Sequence, residues 1–279
     1  MTTSGIPLFG RYFRLILGTI DVNQSLRCTF NVTRTVGPTP NKAEIAISNL
    51  SAASIAQIEQ AIVLPVQLDA GYQQGHQTLF LGDLRASGTI KEDDGSWTTT
   101  IRSGDGETAI RTSRVSKSVA KGAPPDSLFR AVALSVGVDP GNIDEAAALV
   151  KSRFGGNNPF PFGTVVTGSA ARELSNLCRT FGLEWSIQNG KLQFTERGKP
   201  TKGAAVLLSE ATGMVGFPSV DAKGTLLVTS LLNPDLAPGK LLVLESARLK
   251  GGYRIEECSY GGDTHSTSNW TVAVKASRY

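Results

Sequence analysis

The side chains able to do acid–base, nucleophilic or metal chemistry are few in this chain and widely spaced. Among 279 residues there are two histidines, His76 and His265, and three cysteines, Cys28, Cys178 and Cys258. A serine or cysteine hydrolase needs its nucleophile within reach of a base, commonly marked by a GxSxG elbow or by a cysteine in a recognisable active-site context. Neither pattern is present, and both histidines fall in predicted loops. Glu92-Asp93-Asp94, and Asp105 with Glu107, are the carboxylates that could hold a cation or act as a glycosidase pair. They lack EF-hand spacing, and Gly104-Asp105-Gly106 has the composition of a turn, so both groups read as solvated turns. Zinc would need cysteine or histidine at close spacing, and there is none. The sequence assigns no catalytic residue, no metal and no cofactor.

One basic run stands out: Arg111, Arg114, Lys117 and Lys121, on a predicted extended segment. It reads as a solvated strand face or a subunit contact more readily than as a DNA site, because no aromatics interleave with it to stack on bases. Net charge is +4 and the isoelectric point near 9.0, with lysine and arginine spread along the chain. That is mildly basic, far from an arginine-rich nucleic-acid binder. The hydrophobic and charged fractions, 40% and 19%, are those of a folded globular protein. The odd number of cysteines, their separation and the lack of a CxxC pair indicate reduced, buried thiols in a protein made in a cytoplasm. Residues 1–18 lack the basic start and apolar core of a signal peptide, and no apolar run approaches the ~20 residues of a membrane helix, so no stable membrane insertion is expected.

The elements that position these residues centre on 82–107, a predicted hairpin. Leu84, Ala86 and Ile90 alternate with Arg85, Ser87 and Lys91. Glu92-Asp93-Asp94-Gly95 supplies the turn, and Trp97, Thr99 and Ile101 alternate with Thr98, Thr100 and Arg102 on the return. Residues 251–277 echo it. Tyr253-Arg254 stands beside Leu84-Arg85, residues 270–275 (WTVAVK) beside 97–102 (WTTTIR), and 242–245 (LVLE) beside 66–69 (VQLD). Trp followed by Thr and a basic residue at matched spacing indicates an internal duplication. In this pairing Trp97, Ile101, Trp270 and Val274 turn into cores.

The remaining periodicities agree with a β-rich chain. Residues 10–34 predict two strands, and Ala43, Ile45 and Ile47 a third. Ser51 caps a short helix whose buried face is Ile55, Ile58 and Ile62. Strands over 66–72 and 78–81 lead into the first hairpin, and 108–120 is extended. Helices follow at 127–136 and 143–154, then the loop 155–163 (GGNNPFPFG) and a strand at 164–167. Ser169 caps a helix over 170–181, ended by Gly182. Asn189-Gly190 turns a hairpin between 184–188 and 191–195, and strands at 204–209, 225–232 and 240–246 precede the second hairpin. Phe160 and Phe162, between prolines and glycines, either fold back on this middle domain or anchor a neighbouring subunit.

This order of strands and turns resembles the baseplate hub proteins of tailed bacteriophages, the family that includes the hubs of T4-like and Mu-like phages. The resemblance is carried by 40–51 (PNKAEIAISNLS), Ala70-Gly71-Tyr72, Phe80-Leu81-Gly82-Asp83, Gly104-Asp105-Gly106-Glu107, 183–190 (LEWSIQNG) and Ser230-Leu231-Leu232-Asn233-Pro234. It implies a mainly β fold with an α+β insert: two tail-tube-like β-barrel domains, 1–120 and 199–279, flanking a small α/β domain, 121–198. It also implies a structural baseplate hub in the virion, synthesised in the host cytoplasm. Three copies would form a ring joining the hexameric tail tube to the tip or spike around the DNA exit channel.

The partners implied are itself as a homotrimer, a tail-tube or distal tail protein, a spike or tip protein and the tape measure protein. Viral DNA would pass through without sequence-specific binding. Lumen or subunit-interface candidates are Arg85, Lys91, Thr98, Thr100, Arg102, Thr271 and Lys275 on the hairpins, with Arg111, Arg114, Lys117, Phe160 and Phe162 elsewhere. The competing readings are a tail-associated cell-wall hydrolase and a carbohydrate- or protein-binding β-module. Missing catalytic signatures weigh against the first and internal duplication against the second. Thiol titration of denatured, unreduced protein is expected to find Cys28, Cys178 and Cys258 all free; a substantial shortfall contradicts this.

Overall fold

Alternating strands in the computed structural model, which describes residues 8–154, 162–267 and 269–279, turn mostly apolar residues inward at every second position. The first part of the chain holds β1 (Arg11–Leu17), β2 (Ile20–Asn23), β3 (Cys28–Thr35), β4 (Lys42–Ser48), α1 (Ala52–Gln60), β5 (Pro65–Tyr72), β6 (Gly75–Lys91) and β7 (Trp97–Gly104). The middle holds α2 (Glu107–Thr112), β8 (Arg114–Val119), α3 (Pro125–Leu134), α4 (Ile143–Phe154), β9 (Thr164–Ser169), α5 (Ala170–Phe181), β10 (Leu183–Gln188) and β11 (Lys191–Glu196). The last part holds β12 (Val206–Ser209), β13 (Met214–Val220), β14 (Leu226–Leu231), β15 (Leu241–Glu245), β16 (Lys250–Asp263) and β17 (Trp270–Arg278). The fold is mainly β, with most of its helix in the middle segment.

Contacts divide the chain into two units. One gathers the residues up to Thr35, Asn41–Asp105 and Gly198–Tyr279; the other gathers Val36–Pro40 and Gly106–Arg197. The β unit is a single 13-stranded sheet in the order β13-β14-β17-β16-β3-β4-β7-β6-β5-β1-β2, with β15 on the first half of β16 and β12 parallel to β15. Val32, Ile45, Ile47 and Ile101 from one part and Val228, Tyr260, Val272 and Val274 from the other lie in one continuous core. Each such side chain contributes about 1.5–3 kcal/mol by leaving water.

Within that sheet one arrangement occurs twice. β5-β6-β7-β4-β3 has the same neighbours and directions as β15-β16-β17-β14-β13. The long strand of each hairpin bulges at one place, between Leu84 and Ala86 in β6 and between Ile255 and Glu257 in β16. Beyond the bulge the registers coincide: Ala86 faces Arg102 as Glu257 faces Lys275, and Lys91 faces Trp97 as Gly262 faces Trp270. The sequence echo is therefore structural, with one adjustment. Ile255-Glu256, not Tyr253-Arg254, occupies the place of Leu84-Arg85.

The bulge also corrects the expected faces. An extra residue in a strand reverses the alternation beyond it, so Leu84 is half-buried whereas Ala86 and Ile90 point outward and are exposed. Ser87 and Thr89 take the inner positions, opposite Ile101 and Thr99. Trp97, expected in the core, is 48% exposed, while its counterpart Trp270 is 2% exposed. Trp270 is covered because β3 lies along β16 and brings Phe30 edge-on to the indole, ring centres 5.4 Å apart. No described strand lies in the same place along β6.

Three further expectations need revision. Residues 10–34 form three strands, since Gly18, at φ +59°, turns β1 back into β2. Ser51 does cap α1, accepting from the Ser54 amide at 3.1 Å, but the helix ends at Gln60 and leaves Ile62 99% exposed. Residues 108–120 are a short helix followed by β8, and β8 pairs with β9, so Arg111, Arg114 and Lys117 lie in the α/β unit.

That second unit packs α3, α4 and α5 with the β10–β11 hairpin around Phe129, Phe181, Phe194 and Trp185. Ser169 caps α5, Gly182 ends it in the left-handed conformation, and Asn189 and Gly190 both take positive φ in the hairpin turn. Trp185 Nε1 donates to Ser175 Oγ at 3.0 Å, which satisfies the buried indole.

The packing over β16 gives a stability test. A Cβ at Gly262 would lie 2.3 Å from Phe30 ring carbons and 2.8 Å from one of Trp270. Gly262→Ala should cost ~1–3 kcal/mol by overpacking, and Trp270→Ala ~3–5 kcal/mol by leaving a cavity, both read from denaturant midpoints. Trp97→Ala should be nearly neutral in the lone chain. Equal effects of the two tryptophan substitutions would contradict the described asymmetry.

Candidate functional site

Register carries Thr98, Thr100, Arg102, Thr271 and Lys275 onto one outward face of the sheet, whereas Lys91, opposite Trp97, falls in the inner alternation. Arg102 of β7 stands beside Glu44 of β4, Glu44 beside Asn31 of β3, Asn31 beside Gly261 of β16 and Gly261 beside Thr271 of β17. One step along the strands, Gly88 and Thr100 lie in line with Ala46 and Thr29. Lys275 and Glu257 lie on the same face further along. The face spans both repeats and is lined by threonine, serine, alanine, glycine and short charged pairs.

Two of its cations are paired. Arg102 reaches Glu44 at 3.2 Å and Lys275 reaches Glu257 at 2.9 Å, each from the equivalent strand of its repeat. These are exposed pairs, worth ~0–1 kcal/mol each; each cancels one positive charge on the face. Thr98, Thr100 and Thr271 are half-buried, and Lys91 holds its ammonium 6.0 Å over the Trp97 ring. Arg85 is exposed at the bulge.

The two hairpins differ at their tips. The second is locked to the first repeat: Arg27 pairs with Asp263 at 2.8 Å, and the Arg11 guanidinium donates to the Asp263 and Thr267 carbonyls while lying 5.3 Å over Trp270. Cys28 and Thr264 exchange two further bonds, amide to hydroxyl at 2.9 Å and amide to carbonyl at 3.0 Å. Sequence reading missed Arg11, Arg27 and Asp263, because nothing local says that residues some 240 positions apart meet. The first hairpin ends in the exposed turn of Glu92, Asp93 and Asp94, where Asp94 accepts from the Ser96 amide at 2.9 Å.

The remaining candidates belong to other elements. Arg111 is on α2, Arg114 and Lys117 on β8, all exposed. Arg114 donates to the carbonyls of Arg111 and Ser113. Phe162 is 89% exposed, and Phe160 lies outside the described residues. The histidines are far from forming a nucleophile–base pair: His76 opens β6 and stacks on Tyr12, ring centres 3.7 Å apart, and His265 Nδ1 sits 3.0 Å from Thr264 Oγ1. Burial pushes the thiols of Cys28, Cys178 and Cys258 up to about 12, which makes them poor nucleophiles. Among the described residues no group of three or more His, Cys, Asp or Glu could hold a metal ion, and no helix is long and apolar enough to cross a membrane.

The fold is similar to that of phage tail proteins of known structure. The chain aligns with the crystal structure of the 43 kDa tail protein of prophage MuSo2 from Shewanella oneidensis over 96% of its own length and 97% of that chain, with a TM-score of 0.66 and 10% identity. The tail protein of Neisseria meningitidis MC58 matches over 96% of both chains, with a TM-score of 0.64 and 9% identity. An Escherichia coli component of the type VI secretion system, itself described as similar to the T4 tail proteins gp27 and gp5, matches over 95% of this chain and 76% of its own, with a TM-score of 0.57 and 11% identity. At such identities the likeness is one of fold. No family model matches the sequence, and no curated protein does.

The Arg27–Asp263 lock gives a pH dependence. Its hydrogen bond from Arg27 holds the Asp263 carboxyl below its usual value of 3.8. A carboxylate depressed on folding contributes stability that is fully present above its unfolded value and lost as pH falls through the folded one. The melting temperature should therefore fall on acidification below about pH 4, and Asp263→Asn should lower it at neutral pH while flattening that acid limb. An unchanged acid limb in the variant would remove Asp263 from the lock.

Proposed function

We propose that this protein is the structural hub of a phage tail baseplate, acting as a homotrimeric ring between the hexameric tail tube and the tip or spike. The observation that carries this reading is the repeated strand arrangement. One chain presents the same five-strand motif twice, joined edge to edge, so three chains present six similar motifs to a sixfold partner. The whole-length match to tail proteins supports the same reading. On it, the two β repeats correspond to the two tube-like domains expected from the sequence.

The polar face, with its two paired cations, suits the lumen. Threonines, glycines and paired charges offer passing DNA a wetted surface without a cluster of free cations to hold phosphates. Thr98, Thr100, Arg102, Thr271 and Lys275 would line or border it. The basic residues of the α/β unit, with Phe162, are left for contacts with the tail-tube or distal tail protein, the tip or spike, or the tape measure protein. The role is non-enzymatic, and its place is the virion tail after synthesis in the host cytoplasm.

Reconstruction of tails containing the chain is expected to show three copies with the two repeats alternating around the axis; one or six copies would overturn the ring. Purified protein is expected to leave peptidoglycan intact. Clearing that is lost on changing Glu92, Asp94 or Glu107 would replace the structural reading with a hydrolase.

A further inference from the structure

The two repeats share one five-strand motif, but one joint in the sheet is made and its counterpart is not. In the second repeat, the arm of β16 beyond its bulge has β17 on one edge and β3 on the other, paired antiparallel from Glu257↔Thr35 to Asp263↔Thr29. In the first repeat, the corresponding arm of β6, residues 86–91, has β7 on one edge and, among the described residues, no strand on the other. The strand equivalent to β3 is β13, and among the described residues β13 is the terminal strand of the sheet, paired only with β14. Among the described residues a donor edge and an acceptor edge are thus both open on the same chain.

We infer that β13 of one chain adds to the open edge of the β6 arm of a second copy, in the register by which β3 lies on β16. The inference deepens the ring reading and rests on it for the number of copies. Equivalent positions set the register. Gly261 lies four residues after Glu257, as Ile90 lies four after Ala86, and Glu257 and Ala86 are the equivalent residues just past the bulges. On the donor side, Asn31 reaches Arg102 through Glu44, and Ser219 reaches Lys275, the equivalent of Arg102, through Leu227. Since Gly261 faces Asn31, Ile90 of one chain faces Ser219 of the next. Repetition of one asymmetric joint is head-to-tail association, which closes into a ring when its rotation divides a full turn.

The chemistry of the open edges agrees with coverage by a like chain. Where the joint is made, Trp270 and Phe30 bury each other. Where it is open, Trp97, the equivalent of Trp270, is 48% exposed, and Ile90 beside it is exposed. Phe217 lies in the stretch of β13 that corresponds to Phe30 and is 84% exposed, flanked by exposed Val215 and Val220. Apolar side chains on an unpaired strand edge are an aggregation hazard unless a partner covers them, and here both halves of a repeated aromatic contact stand uncovered.

Disulfide trapping tests this directly, because the native cysteines are buried. Full-length Ile90→Cys and Ser219→Cys proteins, both altered at exposed positions, are mixed and oxidised. A covalent dimer is expected from the mixture, with little from Ile90→Cys mixed with Leu227→Cys, in which β13 intervenes. Phe217→Ala should weaken the trapping at least about tenfold, and association should shift Trp97 emission to the blue, since Trp185 and Trp270 are already buried.

No dimer from the first mixture, or as much from the control, overturns the joint, and a tail reconstruction with three copies would then leave the ring standing without it. Oxidation of the double variant Ile90→Cys/Ser219→Cys should close a covalent trimer. Closure at another number, with the mixture still crosslinking, would keep the joint and discard the threefold ring.

Discussion

The pairing of β3 with β16 is the interaction on which the rest of the β unit depends. It runs through seven register pairs, from Glu257↔Thr35 to Asp263↔Thr29, and joins strands more than 220 residues apart. Without it the strands of the two repeats would be two separate sheets, each with a long arm projecting into water. With it, Phe30 closes over Trp270, Arg27 and Arg11 hold the tip of the second hairpin, and the two inner faces share one core. The backbone ladder fixes register, and the side chains supply the energy. Trp270 Nε1, donating to the Gly71 carbonyl at 3.1 Å, extends the same contact to β5.

Much of the local structure was legible in the sequence because it is set by local chemistry. Asn189-Gly190 can take the positive φ that a tight hairpin needs, and Ser169 and Gly182 satisfy the two ends of α5. The duplicated hairpins were legible through Trp97 and Trp270, which stand at matched places in both ladders. What was not legible depends on single inserted residues or on distance along the chain. The bulge at Arg85 reverses the faces of Ala86 and Ile90 without leaving a mark in the alternation. β13 escaped notice because Gly216 and Pro218 interrupt it, with Gly216 at φ +69°. Exposure of Trp97 depends on an absent neighbour, and no periodicity within residues 97–102 encodes one.

The outward face places loose demands on sequence. Its positions call for small or hydroxyl-bearing side chains and for charges that cancel locally, and many residue sets meet that demand. Arg102 with Glu44 and Lys275 with Glu257 achieve the same cancellation with different residues on different neighbouring strands. The inner positions are constrained by volume and the outer ones only by polarity and balance.

The irregularity of β13 has a physical use on the proposed closure. A permanent intrachain joint can be long and regular, as β3 on β16 is. An edge that meets another molecule must avoid indiscriminate pairing before the right partner arrives, and bulges and proline on an edge strand are standard means of doing so. The register break between Val215 and Ser219, holding Gly216, Phe217 and Pro218, shortens the ladder that β13 can offer. Selectivity then passes from the backbone, which every strand shares, to the aromatic contact, which requires a tryptophan at one place on the opposing hairpin. The same motif can therefore serve twice in one chain, once as a fixed seam with a regular strand and once as a weaker seam with a bulged one, and only the second need wait for assembly.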